Sequence, residues 1–436
     1  MTTKTKSNGN VVAIVAMFFL FAMIAFVTNL CSPMAVIVKT QFGASNFASQ
    51  LGNAANFIAY AVMGIPSGML LKKIGYKKTA LLAIFVGFVG VFVQYMSGWE
   101  SIQNFWVYLI GAFIAGFCMC MLNTVVNPML NILGGGGNKG NQLIQFGGVL
   151  NSMSAVFVTI LMGSLIGDAA KAQISQATPA LFIALGIFAF AFIVLIFSNI
   201  PEPESGESKE EKKGDDKYSA FSFRHFKLGI LAIFLYLGIE VGTPTYMLQY
   251  LTSSPDAATP GIGMDVGIAA TMAAMYWLLM MVGRFLGGIV AGKVSSRTLV
   301  TVVSAISIIL VLIGMFAPAT STMTAYGFNG AEGSFVAAEV PVGVFALILV
   351  GLCTSVMWGG IFNMAVEGLG KYTAIASGAF MTMVCGGGNL IPLQGWVADI
   401  THSFNMSYWV VVACAAYLVF YALVGSKNVN TDIPVK

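Results

Sequence analysis

Stretches of about 20 apolar residues recur from end to end of this 436-residue chain, and each can cross roughly 30 Å of hydrocarbon at about 1.5 Å per residue. They fall at 11–38, 48–71, 79–98, 103–132, 142–166 and 178–198, then at 227–252, 266–292, 298–316, 341–366, 373–397 and 407–425. Only 9% of the residues are charged, against about 25% in soluble domains, so no aqueous core can absorb these runs. A bilayer offers the backbone no hydrogen-bonding partner, and runs of this length satisfy it as helices rather than as the strands of a barrel. The fold class that follows is an all-α membrane protein with 12 transmembrane helices.

One long hydrophilic segment interrupts the pattern. Asn199 to Phe223, with PEPESGESKEEKKGDDK at its heart, carries the dense mixed charge of a solvated linker or of a regulatory docking site. It divides the spans six and six, giving an N-terminal bundle at 1–198, a linker at 199–226 and a C-terminal bundle at 227–436. The halves echo each other. A shift of 236 places Asn127 on Asn363 and Leu133-Gly134 on Leu369-Gly370, while Gly64 and Gly68 of span 2 answer Gly283 and Gly287 of span 8. Two pseudo-symmetric six-helix bundles of this kind are the signature of a transporter that rocks about a site between them.

Basic residues mark the orientation, because Lys and Arg collect on the cytoplasmic side. With the N-terminus inside, the inner loops hold Lys72, Lys73, Lys77, Lys78, Lys139, the 209–227 cluster, Lys293, Arg297 and Lys371, and the outer loops only Lys39 and Lys171. Both termini are then cytoplasmic, in the inner (plasma) membrane. The run from Val11 lacks a convincing cleavage site and reads as a retained span rather than a signal peptide. A net charge of +4 belongs to this topology and not to nucleic-acid binding, since no basic domain stands apart. Six cysteines all fall in apolar segments, where a thiol behaves as a small hydrophobe, and imply no disulfide or metal site. No P-loop, no dinucleotide fingerprint and no paired carboxylates at helical spacing within a span are present, so neither a cofactor nor an enzyme is called for.

Within the spans the polar residues are mostly amides. Asn123, Asn127 and Asn131 follow at four-residue spacing and share one helix face, and Asn29, Asn56, Gln145, Asn151, Gln249, Asn363, Asn389 and Gln394 add donors and acceptors. Singly, such amides often tie helices together. Together with Phe57, Tyr60, Tyr236, Tyr246, Tyr250, Tyr276, Trp277 and Trp358 they suit a neutral sugar, whose hydroxyls read amides and whose apolar faces stack on rings. Glu240 lies near the middle of span 7, on a face shared with Tyr236, Thr243 and Met247. An intramembrane carboxylate is by default a functional-site hypothesis. It either exchanges a proton during transport or locks neighbouring helices by hydrogen bonds. Arg284 falls toward the inner end of span 8.

Several motifs are familiar in combination. GMLLKKIGYKK (Gly68–Lys78) resembles the loop signature of the major facilitator superfamily, with Lys72 where its Asp usually stands. That departure, NTVVNP at Asn123–Pro128, GIEV at 238–241, YWLLMMVGRFLG at 276–287, IFNMAVEGLGKYT at 361–373 and CGGGNLIPLQGWVAD at 385–399 resemble one subgroup, the fucose, galactose and glucose proton symporters. The resemblance implies the major facilitator fold and sugar transport by alternating access. The acids that serve proton and sugar handling in those symporters appear here as Asn29 and Asn123, which cannot titrate, and the Gln three residues before the sugar-binding Asn151 is Gly148.

The expected sugar contacts are therefore Asn29, Asn123, Asn127, Gln145, Asn151, Gln249, Asn363 and Asn389, with Tyr246 and Trp358 as stacking rings, Glu240 for cation coupling, and Gly68, Lys72, Gly75, Lys78 and Arg284 for gating. Partners are a neutral monosaccharide, a proton or sodium ion and the lipid bilayer, with the protein acting as a monomer. Sodium-coupled or passive carriage and a transporter-like sugar receptor are the alternatives.

Overall fold

The computed structural model describes residues 2–134, 137–198, 200, 202, 218–290, 294–329, 332–430 and 432–435. The first half comprises α1 (Thr2–Gln41), a short α2 (Asn46–Ser49), α3 (Leu51–Ile74), α4 (Tyr76–Met96), α5 (Phe105–Leu133), α6 (Gly137–Ile166) and α7 (Ile174–Phe197). In the second half come α8 (Arg224–Glu240), α9 (Gly242–Thr252), α10 (Val266–Val290) and α11 (Ser296–Phe316), a hairpin of β1 (Thr322–Asn329) and β2 (Ser334–Pro341), then α12 (Val342–Thr354), α13 (Met357–Val366), α14 (Thr373–Thr382), α15 (Gly386–Thr401), α16 (Phe404–Ser407) and α17 (Trp409–Phe420).

Among the described residues 11 helical stretches are long and apolar enough to cross a membrane. The remaining run, 373–397, crosses as α14 and α15, joined by a tight turn at Met383–Cys385. Two other spans of the second half are also broken: α8 gives way to α9 at Val241, and α12 to α13 at Ser355 and Val356. Pro244 explains the first break, since it has no N–H to donate to the carbonyl of Glu240 four residues back. The break ends the face on which Glu240 was expected to share a stripe with Thr243 and Met247; both are buried beyond it, in α9.

The halves meet where α6 packs on α10 and where α3 packs on α14 and α15. Small residues allow the approach: a Cβ on Gly163 of α6 would collide with the Ala270 Cβ and stand 2.9 Å from the Val266 carbonyl of α10. Among the described residues the hairpin is the one regular element outside an all-helical reading. Its strands pair antiparallel from Thr322↔Pro341 to Asn329↔Ser334, on the side of the molecule opposite the basic α3–α4 loop. Thr324 Oγ1 donates to Glu339 Oε1 at 2.7 Å, and the Thr324 and Thr322 hydroxyls hold the Glu339 carboxyl below the usual range.

On the basic-loop side, Gly75 separates α3 from α4 at φ +83° and ψ 175°, a region that only glycine enters freely. Glu202, at the start of the linker, caps α4: its Oε2 accepts from the Tyr76 amide at 2.7 Å and its Oε1 from the Lys77 amide at 2.9 Å. An acid there also balances the positive end of the helix dipole. Lys77 Nζ completes the clasp by donating to the carbonyls of Ile196 (2.8 Å) and Ser198 (2.9 Å) at the end of α7. A Cβ on Gly75 would stand 2.6 Å from Glu202 Oε2. Gly75→Ala is expected to destabilise the protein by about 1–3 kcal/mol through backbone strain, seen as a lower apparent melting temperature in detergent, with Glu202→Ala restoring little of the loss.

Candidate functional site

A cavity of about 320 Å³ lies between the halves, within the range of about 300–1,000 Å³ usual for small-molecule sites. From the first half, α1 contributes Thr28, Asn29 and Ser32, α3 Phe57 and Tyr60, α5 Asn123 and Asn127, and α6 Gly148 and Asn151. From the second come Glu240, Trp277 and Arg284, with Ser355, Trp358, Asn363, Met381 and Val384 from around the two later helix breaks. All three breaks of the second half thus fall at the level of the cavity. Discontinuous helices in a membrane are tolerated where their freed backbone groups face protein or such a cavity.

The first-half asparagines share a pattern. Asn29 Nδ2 donates to the Ala25 carbonyl at 2.9 Å, Asn123 Nδ2 to the Met119 carbonyl at 3.1 Å, and Asn127 Nδ2 to the Asn123 carbonyl at 3.0 Å. Asn151 Nδ2 reaches the Phe21 carbonyl of α1 at 3.4 Å, and Asn123 also donates to the Tyr60 hydroxyl at 2.9 Å. Each amide is anchored through its nitrogen. Among the described residues no donor meets the carbonyl oxygen of Asn29, Asn127 or Asn151, so these remain as acceptors for a ligand's hydroxyls. Thr28 Oγ1, also on the wall, is buried without a partner among the described residues. Aromatic rings complete the lining. Trp358 is held edge-on by Tyr236 at 6.1 Å and Phe380 at 5.8 Å, Trp277 by Tyr276 at 5.3 Å, and Phe57 stacks on Tyr60 at 6.3 Å.

Arg284 reaches deeper than its position near the inner end of span 8 suggested. Its Nη2 pairs with Glu240 Oε1 at 3.3 Å, and its Nη1 donates to the Gly148 carbonyl at 2.8 Å and Ser152 Oγ at 2.9 Å. Glu240 is therefore not a lone charge. One guanidinium ties α8 and α10 of the second half to α6 of the first, and the pair leaves the cavity wall without net charge. Gly148 stands where a Gln was expected from the resemblance, and a Cβ there would only make ordinary contact with Arg284 Cδ and Nη1, at 3.6 Å.

Of the expected site residues, Asn29, Asn123, Asn127, Asn151, Asn363, Trp358, Glu240 and Arg284 line the cavity. Gln249, Tyr246 and Asn389 do not. Gln249 and Tyr246 are buried in α9, and the Tyr246 hydroxyl donates to the Ile391 carbonyl at 2.8 Å. Asn389 is exposed on the face of α15 that carries Leu393, Trp396 and Ile400, the apolar face a helix turns to lipid, and its amide donates to the Cys385 carbonyl at 3.0 Å. The side chains of Gln145 and Asn131 lie outside the described residues. Lys72 and Lys78 are exposed, and Gly68 has open space beside it. Phe57, Tyr60 and Trp277 were visible as aromatics but not singled out. A further signal was overlooked: Pro33 follows Asn29 by four residues as Pro244 follows Glu240, so in equivalent spans of the two halves a proline frees the carbonyl of a cavity residue.

The cavity extends toward the basic-loop side, where Val294, Ser296 and Leu299 line it. Its other end is roofed by a hydrogen-bond network that runs mostly between the halves. Ser32 Oγ and Thr245 Oγ1 share one at 2.9 Å, and Lys39 Nζ donates to Asn46 Oδ1 (2.7 Å) and Ser253 Oγ (2.9 Å). Asn46 Nδ2 donates to Thr259 Oγ1 (3.0 Å) and Asp399 Oδ1 (2.8 Å), while the backbone amides of Asn46 and Phe47 reach the same carboxylate at 3.1 and 2.9 Å.

Removing one partner of a buried ion pair strands the other charge, at about 3–5 kcal/mol for full burial. The walls here are partly wetted, so Arg284→Met is expected to lose about 2–3 kcal/mol of stability, with Arg284→Met/Glu240→Gln recovering most of it in thermal unfolding of the purified protein.

Comparison with known proteins accords with this architecture. The family model described as Major Facilitator Superfamily matches residues 17–392. A glucose/galactose transporter of Brucella abortus is 27% identical over 98% of this chain and 97% of its own length, and the L-fucose-proton symporter of Escherichia coli is 23% identical over 95% and 92%. The crystal structure of the major facilitator transporter FucP in the outward conformation matches with a TM-score of 0.67 and 21% identity, over 96% of this chain and all of that one. With broken helices at a central cavity and a family match over most of its length, the chain belongs to the major facilitator superfamily.

Proposed function

We propose that this protein transports a neutral hexose or deoxyhexose by alternating access, binding it between the asparagine wall of the first half and the Trp277 and Trp358 rings of the second. The observation that carries this reading is the cavity's chemistry. Anchored amides present oxygens to hydroxyls, rings face them, and the charges of Glu240 and Arg284 cancel. Glucose, galactose and fucose, named for the relatives, all have hydroxyls on one edge and an apolar face. The sugar leaves as it entered, unaltered; the protein is a carrier and not an enzyme. The moving bodies are the bundles at 1–198 and 227–436, in one polypeptide that functions alone in the inner membrane. By the positive-inside rule the basic loops and both termini are cytoplasmic, which makes the described state open inward and latched outward.

Glu240 is the coupling acid in this reading. Protonating it removes the negative charge that holds Arg284 Nη2, while Nη1 remains on α6. The proton thus changes which half holds the arginine. A second reading, sodium-coupled or passive carriage, is favoured by the amides at Asn29 and Asn123, where the proton symporters carry acids.

Purified protein in vesicles is expected to take up glucose, galactose or fucose, faster with an inward proton gradient; stimulation by sodium alone, or by neither gradient, selects the second reading. Glu240→Gln is expected to abolish accumulation against a gradient while preserving counterflow, and persistent accumulation overturns its coupling role. Asn29→Ala or Asn151→Ala removes a hydrogen bond of about 1–1.5 kcal/mol, so the half-saturation concentration is expected to rise about tenfold. Asp399→Ala removes the acceptor of three latch bonds; a cysteine at Ser32, behind the latch, is expected to react severalfold faster with a membrane-impermeant thiol reagent added from that side.

A further inference from the structure

The β1–β2 hairpin takes no part in the cavity, and its position points elsewhere. The Phe328 amide donates to Thr271 Oγ1 of α10 at 3.0 Å, and a Cβ on Gly327 would stand 2.6 Å from Ile268 Cγ2. On α10, Ile268 and Thr271 begin a stripe continued by Met275, Leu278, Val282 and Phe285 at spacings of three and four residues. Those last four are exposed, as expected of the lipid-facing side of a spanning helix, whereas Ile268 and Thr271 are buried by the hairpin. The hairpin therefore occupies the place of lipid over the first turns of that stripe.

Depth follows from helix geometry. Thr271 comes five residues after Val266, where α10 begins, which is about 7.5 Å along the axis. A 25-residue helix is about 37 Å long and overhangs a hydrocarbon layer of about 30 Å by a few ångströms at each end. Thr271 thus lies close to the boundary between headgroups and hydrocarbon. At that level the hairpin turns an aromatic face away from the protein. Alternation along the strands sets Tyr326 and Phe328 opposite Gly327. Phe335 pairs with Phe328 across the ladder, their rings edge to face at 5.5 Å. Tyr326 is 68% exposed and Phe335 61%, while the base of the hairpin carries the polar Thr324–Glu339 pair. β1 also touches α6, so the hairpin straddles the seam on which the two halves meet.

We infer that the hairpin is a bilayer anchor: Tyr326 lies in the interface of the leaflet opposite the basic loops, where a ring with a polar hydroxyl and an apolar body settles, and Phe335 beside it turns its apolar ring to the edge of the hydrocarbon. The occupant is lipid because the face continues the exposed apolar stripe of α10 at the depth of the membrane surface. This inference does not depend on the substrate.

Spin labels on cysteines introduced at Tyr326 and at Phe335, in protein whose six native cysteines are replaced by alanine, test it in lipid vesicles. Collision with oxygen, which concentrates in the bilayer, is compared with collision with a water-soluble nickel chelate. At both sites the oxygen-to-nickel ratio is expected to be severalfold above that of a label at Asp256, in an exposed loop, and to approach that of a label at Phe157 on the exposed face of α6. A ratio matching Asp256 places the aromatic face in water and overturns the inference. Low accessibility to both reagents means that protein, such as a second copy, covers the face, and overturns it equally. Because the labelled residues are exposed, oxygen values at Phe157 also report whether the protein has folded.

Discussion

In hydrocarbon every backbone N–H and C=O has to find its partner inside the protein, and this constraint decides where the chain can be irregular. The three broken spans of the second half, at Val241, at Ser355–Val356 and at Met383–Cys385, all break beside the cavity, where protein, water or a ligand can meet the freed groups. The first half keeps its spans continuous and supplies side-chain amides instead. One half offers anchored asparagines, the other Trp358 and Glu240 beside helix breaks, with Trp277 and Arg284 on the unbroken α10. Close packing of α6 on α10 through Gly163 brings the two halves together without a thick seam of side chains between them.

The ion pair of Glu240 and Arg284 joins this architecture to chemistry. A charge alone at mid-membrane is expensive, and the arginine meets three acceptors on two helices. Its planar fork suits that task better than a lysine's point charge. The α6 backbone takes part directly, presenting the Gly148 carbonyl to the guanidinium.

Much of this was legible in the sequence. The apolar runs located every span, since a bilayer imposes its thickness on each one, and the spacing of Asn123 and Asn127 placed both on the cavity wall. The rest was hidden for definite reasons. Glu240 and Arg284 lie on neighbouring helices, and no local periodicity reports the rotation of one helix against another. Asn389 belongs to a motif shared with sugar symporters, yet the turn at Met383–Cys385 sets the phase of α15 so that it faces outward with Leu393 and Trp396. That phase was readable, because the apolar residues already followed Asn389 at helical spacing. The hairpin was readable too: alternating residues in TMTAYGFN and SFVAAEVP flank an Asn-Gly turn signal at 329–330. A search for twenty-residue runs passes over an eight-residue strand.

The latch of Lys39, Asn46, Ser253, Thr259 and Asp399 has a thermodynamic consequence. It is built from polar groups at the membrane surface rather than from apolar packing, so when it parts, water replaces each lost partner. Each such exchange is worth only about 0.5–1.5 kcal/mol, with surface charge pairs toward the lower end. Opening therefore draws on a few kcal/mol, the scale on which occupation of the cavity can tip an equilibrium between two shapes. A seam of leucines in the same place would expose apolar area to water on every cycle and hold the molecule in one shape.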